Sequence, residues 1–181
     1  ESFSKLGSTF LTKRFDREGP QRKHFSSAMT MLGKIDGASA EDGLGYLDIV
    51  SFLKANGAAP KDDIEELWKR IVFSMAITNT DDHLRNHGFI LQKNGWRLSP
   101  LYDVNPCAYG DTLALNVNEC SNEISLELAI EAFDYYGLTK EHAERLASEC
   151  IETVKQNWEK IATKNGLSRG AIEYMRPAFS L

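Results

Sequence analysis

The feature that most constrains the fold of this chain is a long amphipathic segment that leads directly into a polar one. Between Pro60 and Ile77, apolar residues recur at spacings of three and four, which predicts a helix with one wide buried face. Acidic residues fill its first turn, where they favour the positive end of the helix dipole. This helix delivers the chain into the polar run Asn79-Thr80-Asp81-Asp82-His83-Leu84-Arg85-Asn86.

The rest of the pattern predicts a predominantly helical α+β fold with short β hairpins. Further helices are predicted over residues 20–32, 46–55, 126–136, 139–164 and 168–179. Short strands are predicted over residues 10–15, 88–92, 96–99 and 113–117, and a loop over residues 34–45. The pair Asn94-Gly95 is a strong signal for a hairpin turn.

Composition narrows the class of protein. The chain has 181 residues, enough for one domain or one large lobe of something larger. It carries 21 basic and 26 acidic residues, a net charge of −5, which disfavours nonspecific nucleic-acid binding. Cys107, Cys120 and Cys150 lack zinc-site spacing. With no long apolar run and no export signal, the sequence predicts a cytoplasmic protein that does not span a membrane.

The beginning of the chain suggests that it is part of a longer protein. Residue 1 is Glu rather than Met, and residues 10–15 read as a strand entered in mid-sheet. A lone strand needs neighbours that take its backbone hydrogen bonds. We therefore expect further residues upstream of Glu1 in the parent protein.

The polar run suits phosphate chemistry that depends on Mg²⁺, a cation that prefers oxygen ligands. In the protein-kinase catalytic loop, the base Asp is followed by Lys after two residues and by a metal-binding Asn after five. Asp81, His83 and Asn86 have those offsets. Asp103 follows Asp81 by 22 residues, across the predicted hairpin, where that plan puts a second metal-binding carboxylate. The offsets of two and five residues reach His83 and Asn86 only when they are counted from Asp81, and not from Asp82.

An ordinary turn would account for each of these residues alone. An isolated Asp-Asp pair is most often a solvated helix-terminal turn, and a lone His is most often hydrogen-bonded to backbone. A turn explains neither the offset of five nor the later carboxylate. The combination therefore favours a functional site. We expect His87 to point away from this site, because a strand is predicted to follow it.

Three motifs together resemble the HipA family of bacterial serine/threonine kinases, the toxins of HipBA-type toxin-antitoxin systems. They are "RFDR" at residues 14–17, "NTDDHLRNHGFIL" at residues 79–91 and "WRLSPLYDVNP" at residues 96–106. The resemblance implies a helical lobe similar to that of eukaryotic protein kinases. It implies Asp81 as the catalytic aspartate, His83 beside the transferring phosphate, and Asn86 and Asp103 as Mg²⁺ ligands.

The same resemblance implies a nucleotide site and partners. Backbone groups of Lys13 and Phe15 would meet the adenine of ATP, and Asp16 the ribose. Residues 1–18 would be a hinge strand left from an amino-terminal lobe, and residues 19–181 the carboxy-terminal kinase lobe. The implied partners are a protein substrate, such as an aminoacyl-tRNA synthetase, and a HipB-like antitoxin with a helix-turn-helix fold. The resemblance implies that DNA would be contacted only through this antitoxin.

Two departures from the family pattern stand out. Arg85 occupies a position where lysine is common, which keeps the charge but changes the donor geometry. A Gly-rich phosphate loop and an upstream strand lysine are missing from the 181 residues, so we expect little activity from this fragment alone.

Two other functions stay open at this point. One is a noncatalytic HipA-like module that binds a partner. The other is a metal-dependent phosphohydrolase that uses Asp81, Asp82 and His83 directly.

Overall fold

The computed structural model describes residues 11–181 and confirms a predominantly helical α+β fold. The helices are α1 (Ala28–Met31), α2 (Tyr46–Asn56), α3 (Pro60–Ala76), α4 (Leu126–Glu131), α5 (Lys140–Lys164) and α6 (Arg169–Met175). The strands are β1 (Arg17–Glu18), β2 (Gln21–Arg22), β3 (Phe25–Ser27), β4 (Gly88–Gln92) and β5 (Gly95–Leu98). Short 3-10 helices occupy Ala40–Asp42, Phe133–Tyr136 and Arg176–Phe179.

Helix α3 is the central element of the core. Pro60 stands at its first turn, where a missing N–H costs nothing, and Asp62 and Asp63 follow in the same turn. The helix packs against α2, α4, α5 and β5. Trp68 is fully buried, and its indole N–H donates to the Ala129 carbonyl of α4 at 3.1 Å. The predicted helices over 46–55, 60–77 and 139–164 are confirmed to within two residues at each end.

After the polar run, the chain enters β4, the central strand of an antiparallel sheet in the order β3-β4-β5. Gly88 pairs with Ser27, and Phe89 pairs with Leu98, so the predicted hairpin around Asn94-Gly95 is confirmed. The main-chain N–H of Ala28 donates to the carbonyl of His87 at 2.8 Å. The polar run is therefore held between the end of α3 and the edge formed by β3 and α1.

The predicted helix over residues 20–32 is wrong. Residues 21–22 and 25–27 are strands, and the only helical residues there are those of α1. Phe25 pairs with Ile90, a partner far along the chain that local spacing does not reveal. The predicted strand over residues 10–15 is also wrong for residues 11–15, which pair with no strand in the described range, and Phe10 lies outside that range.

Three smaller predictions about element bounds need correction. The strand predicted over residues 113–117 does not form: their backbone groups bond separately to Asn122, Ser121, Ala40 and Leu44 rather than to one strand. The helix predicted over 126–136 divides into α4 and a 3-10 turn. The last helix divides in the same way before Pro177, which cannot donate a helical hydrogen bond.

Candidate active site

The polar loop, defined here as residues 77–87, connects α3 to β4 without regular secondary structure. Two of its backbone bonds are local: the N–H of His83 donates to the Asp81 carbonyl at 3.0 Å, and that of Asn86 to the His83 carbonyl at 2.9 Å. The carbonyls of Thr78, Leu84 and His87 accept instead from N–H groups outside the loop. A loop of this kind needs side-chain hydrogen bonds to hold one conformation, because it lacks the regular backbone hydrogen bonds of a sheet or a helix.

Asp81 and Asn86 lie in contact with each other, Asp81 exposed and Asn86 buried with 4% of the residue exposed. The Asp81 side chain is 78% exposed. Its own carbonyl accepts a hydrogen bond from the Asn86 carboxamide nitrogen at 2.9 Å. This bond fixes the orientation of the Asn86 amide and leaves its oxygen as the atom that could meet a cation. The two residues that the offset of five singled out are therefore in direct contact.

Asp82 has the opposite environment, with 2% of the residue exposed. Its Oδ2 accepts hydrogen bonds from the hydroxyls of Tyr46 at 2.8 Å and Ser74 at 3.3 Å. The Nε2 of the fully buried His87 lies 3.0 Å from its Oδ1. The His87 ring nitrogen does not meet the angle of a good hydrogen bond to Asp82. Because the two groups are so close in a buried pocket, we describe this contact as an electrostatic attraction. The expectation that His87 points away from the motif is wrong.

These contacts set the pKa of Asp82. Burial by itself would raise it, but His87, Tyr46 and Ser74 together outweigh burial, so the pKa lies below the ordinary value of an aspartate. Burial, followed by the Asp82 carboxylate, raises the pKa of Tyr46 well above its usual range. Tyr46 therefore stays a hydrogen-bond donor at neutral pH.

A pH dependence of stability follows from the low pKa of Asp82. A carboxyl group whose pKa is lower when folded than when unfolded stabilises the fold above the unfolded value of about 4, and loses this effect as the pH falls through the folded pKa. We expect Asp82→Asn to lower the free energy of unfolding by about 2 kcal/mol at pH 7. The difference from the parent should shrink below pH 4, as measured by urea denaturation at several pH values. An equal difference at pH 7 and pH 3 would contradict the assignment of a charged Asp82.

His83 is bound to Arg85 rather than to Asp81. Its Nε2 lies 3.1 Å from an Arg85 guanidinium nitrogen and 3.8 Å from Asp81 Oδ1. Because arginine only donates, Nε2 accepts in this arrangement. A second Arg85 nitrogen pairs with Asp36 at 2.6 Å and so connects the loop to residues 34–39. A cavity of ≈ 170 Å³ lies between these two segments.

Asp103 lies on an extended segment that is attached to the polar loop through the preceding residue. The Tyr102 hydroxyl donates to the Arg85 carbonyl at 2.6 Å, one residue before Asn86. Burial and then the charge of Asp103 raise the pKa of Tyr102 to about 12. Asp103 itself is exposed, and its Oδ1 accepts from the Asn105 amide at 3.1 Å.

Backbone strain is concentrated at this site. Among residues 11–181, the non-glycine residues with positive φ are Thr78, at 51°, and Asp103, at 54°. This conformation is uncommon for Asp and a clear outlier for a β-branched Thr. The Thr78 carbonyl accepts from the Cys107 N–H at 3.2 Å, which joins the two strained segments. Strain of this kind, on the order of 1–3 kcal/mol per residue, typically persists at functional sites.

The residues expected to hold the nucleotide are only partly brought to this site. The Phe15 ring packs against Tyr102 at a centroid distance of 5.8 Å and against Phe25 at 5.5 Å. Asp16 binds Arg14 through both carboxylate oxygens, at 2.6 and 2.7 Å, and this pairing lowers its pKa. Lys13 is exposed. The assignment of Lys13, Phe15 and Asp16 to ATP stays a prediction.

Comparison with known proteins decides the family. A family model described as "HipA-like C-terminal domain" matches residues 1–158. The chain belongs to this HipA-like family. A Haemophilus influenzae protein named "Putative kinase" is 33% identical over 102 residues, which are 52% of this chain and 29% of the relative.

The fold is that of HipA. A chain in the Shewanella oneidensis MR-1 complex of HipA, HipB and operator DNA superposes with a TM-score of 0.70 at 18% identity. The match covers 93% of this HipA-like chain and 45% of the solved chain. The chain thus spans less than half the length of each of these two proteins. In the described residues, no helix has the length and apolar character needed to cross a bilayer.

The sequence did not identify the buried residues around Asp82 as part of this HipA-like site. Asp82 and His87 have the same offset of five as Asp81 and Asn86, and this repeated offset was the available signal. Tyr46 and Ser74 carried no such signal, because each lies in a predicted helix, at a position that only the tertiary fold brings to Asp82.

Proposed function

We propose that this chain is the carboxy-terminal lobe of a HipA-like, Mg·ATP-dependent serine/threonine protein kinase. The main support is the difference in burial between two adjacent aspartates. The Asp81 carboxylate is exposed, and the Asp82 carboxylate is bound inside the protein. An exposed carboxylate on a rigid loop has the position that a proton acceptor for an incoming hydroxyl needs. The family membership and the kinase named among its relatives support the same reaction class.

In this proposal, Asp81 orients the substrate hydroxyl and accepts its proton while the γ-phosphate is transferred. The Asp81 carboxylate is open to an incoming substrate, because its side chain is 78% exposed. His83 lies beside it, and Arg85 contributes a positive charge that is shared with Asp36. Positive charge near the transferring group stabilises the charge that develops on it.

The donor set fits Mg²⁺. The carboxamide oxygen of Asn86, whose nitrogen donates to the Asp81 carbonyl, and the exposed carboxylate of Asp103 are hard oxygen ligands of the kind that this cation prefers. When bound, the ion would neutralise charge on the phosphates. The Tyr102 bond to the Arg85 carbonyl would keep the segment that carries Asp103 beside Asn86.

The nucleotide and protein partners are part of the same proposal. Lys13, Phe15 and Asp16 would contact the adenine and ribose of ATP, together with an amino-terminal lobe. The substrate would be a protein hydroxyl, such as that of an aminoacyl-tRNA synthetase. The Shewanella HipA is solved with HipB and operator DNA, which supports a HipB-like antitoxin as partner. Direct DNA contact fits poorly with a net charge of −5.

The phosphohydrolase alternative requires Asp82 as a metal ligand. Both Asp82 oxygens already have partners in a buried pocket. Freeing them would leave Tyr46 and His87 without their partner, at a cost of several kcal/mol. These contacts argue against a metal-dependent phosphohydrolase.

The kinase proposal is tested by the metal dependence of phosphate transfer. A polypeptide that joins this chain to a HipA-type amino-terminal lobe is supplied with ATP, Mg²⁺ and a serine-containing protein. We expect Asp103→Asn to lower the rate about 100-fold and to raise the Mg²⁺ concentration needed for half-maximal rate. Asn tolerates the left-handed backbone as Asp does, so the substitution removes charge without adding strain.

Asp111→Asn, which removes another exposed carboxylate, is the matched control and should leave the rate unchanged. Unaltered Mg²⁺ dependence in Asp103→Asn would remove this residue from the metal site. Absence of transfer by the parent polypeptide itself would favour a noncatalytic HipA-like binding module.

A further inference from the structure

The polar loop contains two contacts of offset five, named here the outer layer, which includes the exposed Asp81, and the inner layer, in which both residues are buried. In the outer layer, Asn86 donates to the carbonyl of Asp81 at 2.9 Å. In the inner layer, His87 lies 3.0 Å from the carboxylate of Asp82. The same register thus joins the exposed Asp81 to the buried Asn86, and joins Asp82 to His87 with both residues buried.

The inner layer connects the loop to three separate parts of the fold. Asp82 bonds to Tyr46 in the first turn of α2 and to Ser74 near the end of α3. His87 contacts the Tyr46 ring edge-on at 5.6 Å, and its carbonyl accepts from Ala28 at the start of α1. Asp82, His87, Tyr46 and Ser74 are each at most 2% exposed as residues. In such a dry environment, polar contacts are strong and fix orientation.

The outer layer is restrained beside Asn86, where the Arg85 carbonyl accepts from the Tyr102 hydroxyl at 2.6 Å, but Asp81 has few restraints of its own. Asp81 is exposed, and the loop amides beside it donate only to carbonyls within the loop. Asp81 and Asp82 share a peptide bond, as do Asn86 and His87. The position of Asp81 therefore follows from that of Asp82, and the position of Asn86 follows from His87 together with the Tyr102 bond.

We propose that Asp82, His87 and Tyr46 are positioning residues that hold Asp81 and Asn86 in their reactive arrangement. This inference rests on the proposed kinase function and adds residues that do not touch the substrate. It predicts that weakening the inner layer lowers turnover more than substrate binding, because misplacement of about 1 Å can cost up to 100-fold in rate.

Tyr46→Phe tests the inference, because it removes one hydroxyl from the inner layer without a cavity. Tyr136→Phe is the matched control: Tyr136 is equally buried, and its hydroxyl donates to the Val117 carbonyl at 2.6 Å instead of to the loop. In the kinase with both lobes, we expect kcat to fall about tenfold in Tyr46→Phe, with the KM for ATP within about twofold of the parent. Tyr136→Phe should keep the parental kcat.

Amide hydrogen exchange on the 181-residue chain gives a second readout that does not depend on activity. The His83 and Asn86 amides, which bond within the loop, should exchange about tenfold faster in Tyr46→Phe and at the parental rate in Tyr136→Phe. If Tyr46→Phe fails to fold, Ser74→Ala removes another bond of the same carboxylate and replaces it in both experiments.

The outcomes separate the two proposals. Equal kcat values, or equal exchange rates, in the two tyrosine variants would overturn the positioning role while leaving the kinase function in place. A parent kinase without activity would overturn the proposed function. In that case the exchange rates alone decide whether the inner layer positions the loop.

Discussion

Asp81→Asn is expected to lower the rate of phosphate transfer about a thousandfold in the polypeptide that carries both lobes, because Asn cannot accept the proton of the incoming hydroxyl. The Asp81 side chain is 78% exposed and its structural bond is made by its main-chain carbonyl. The substitution should therefore leave the fold intact. The measurement is a steady-state phosphorylation assay alongside a thermal denaturation curve.

The control for this experiment is Asp134→Asn, which removes another exposed carboxylate, in the 3-10 helix Phe133–Tyr136. It should match the parent in both rate and melting temperature. If Asp81→Asn were as active as Asp134→Asn, Asp81 would not be the proton acceptor. A large loss of stability in Asp81→Asn would show instead that its carboxylate supports the loop.

The largest effect on stability is expected for Trp68→Ala, at about 4 kcal/mol in the free energy of unfolding. Trp68 is fully buried in α3, and its indole N–H donates to the Ala129 carbonyl. The substitution would leave a cavity and an unpaired carbonyl in the centre of the core. Urea denaturation of the 181-residue chain measures the loss.

Trp158→Ala offers a matched comparison on another helix. This ring in α5 is partly exposed and stacks on Phe179 at a centroid distance of 4.3 Å, at the edge of an apolar groove. We expect Trp158→Ala to lower the free energy of unfolding by about 1–2 kcal/mol, because folding buries less apolar surface of this ring than of Trp68. Equal losses for the two tryptophans would contradict the central place of α3 in the core.

Sequence reasoning succeeded where structure is encoded locally. Helices α2, α3 and α5 follow from apolar spacing and terminal residues such as Pro60 and Thr139, whose side chain accepts from the His142 N–H. The hairpin of β4 and β5 follows from the Asn94-Gly95 turn. The offset of five that singled out Asp81 and Asn86 in the sequence joins two residues that are in contact in the structure, while their catalytic and metal-binding roles stay predictions.

Sequence reasoning failed where the partner of a residue lies far along the chain. Phe25 had helical spacing but pairs with Ile90 in a sheet. His87 preceded a strand as predicted, yet its side chain lies against Asp82. The positive φ of Thr78 reflects tertiary bonds, such as that from its hydroxyl to the Ala178 carbonyl, and no local pattern predicts it.

The direct passage from α3 into the polar loop ties the direction of Asp81 to the length of a helix. One residue inserted into α3 would turn everything after it by about 100° around the helix axis, since a turn has 3.6 residues. Asp82 would then leave Tyr46, although every residue of the loop was still present. Length changes should therefore be excluded from Pro60–Ala76 during evolution, and they should accumulate in the exposed turn at Lys93 and Asn94.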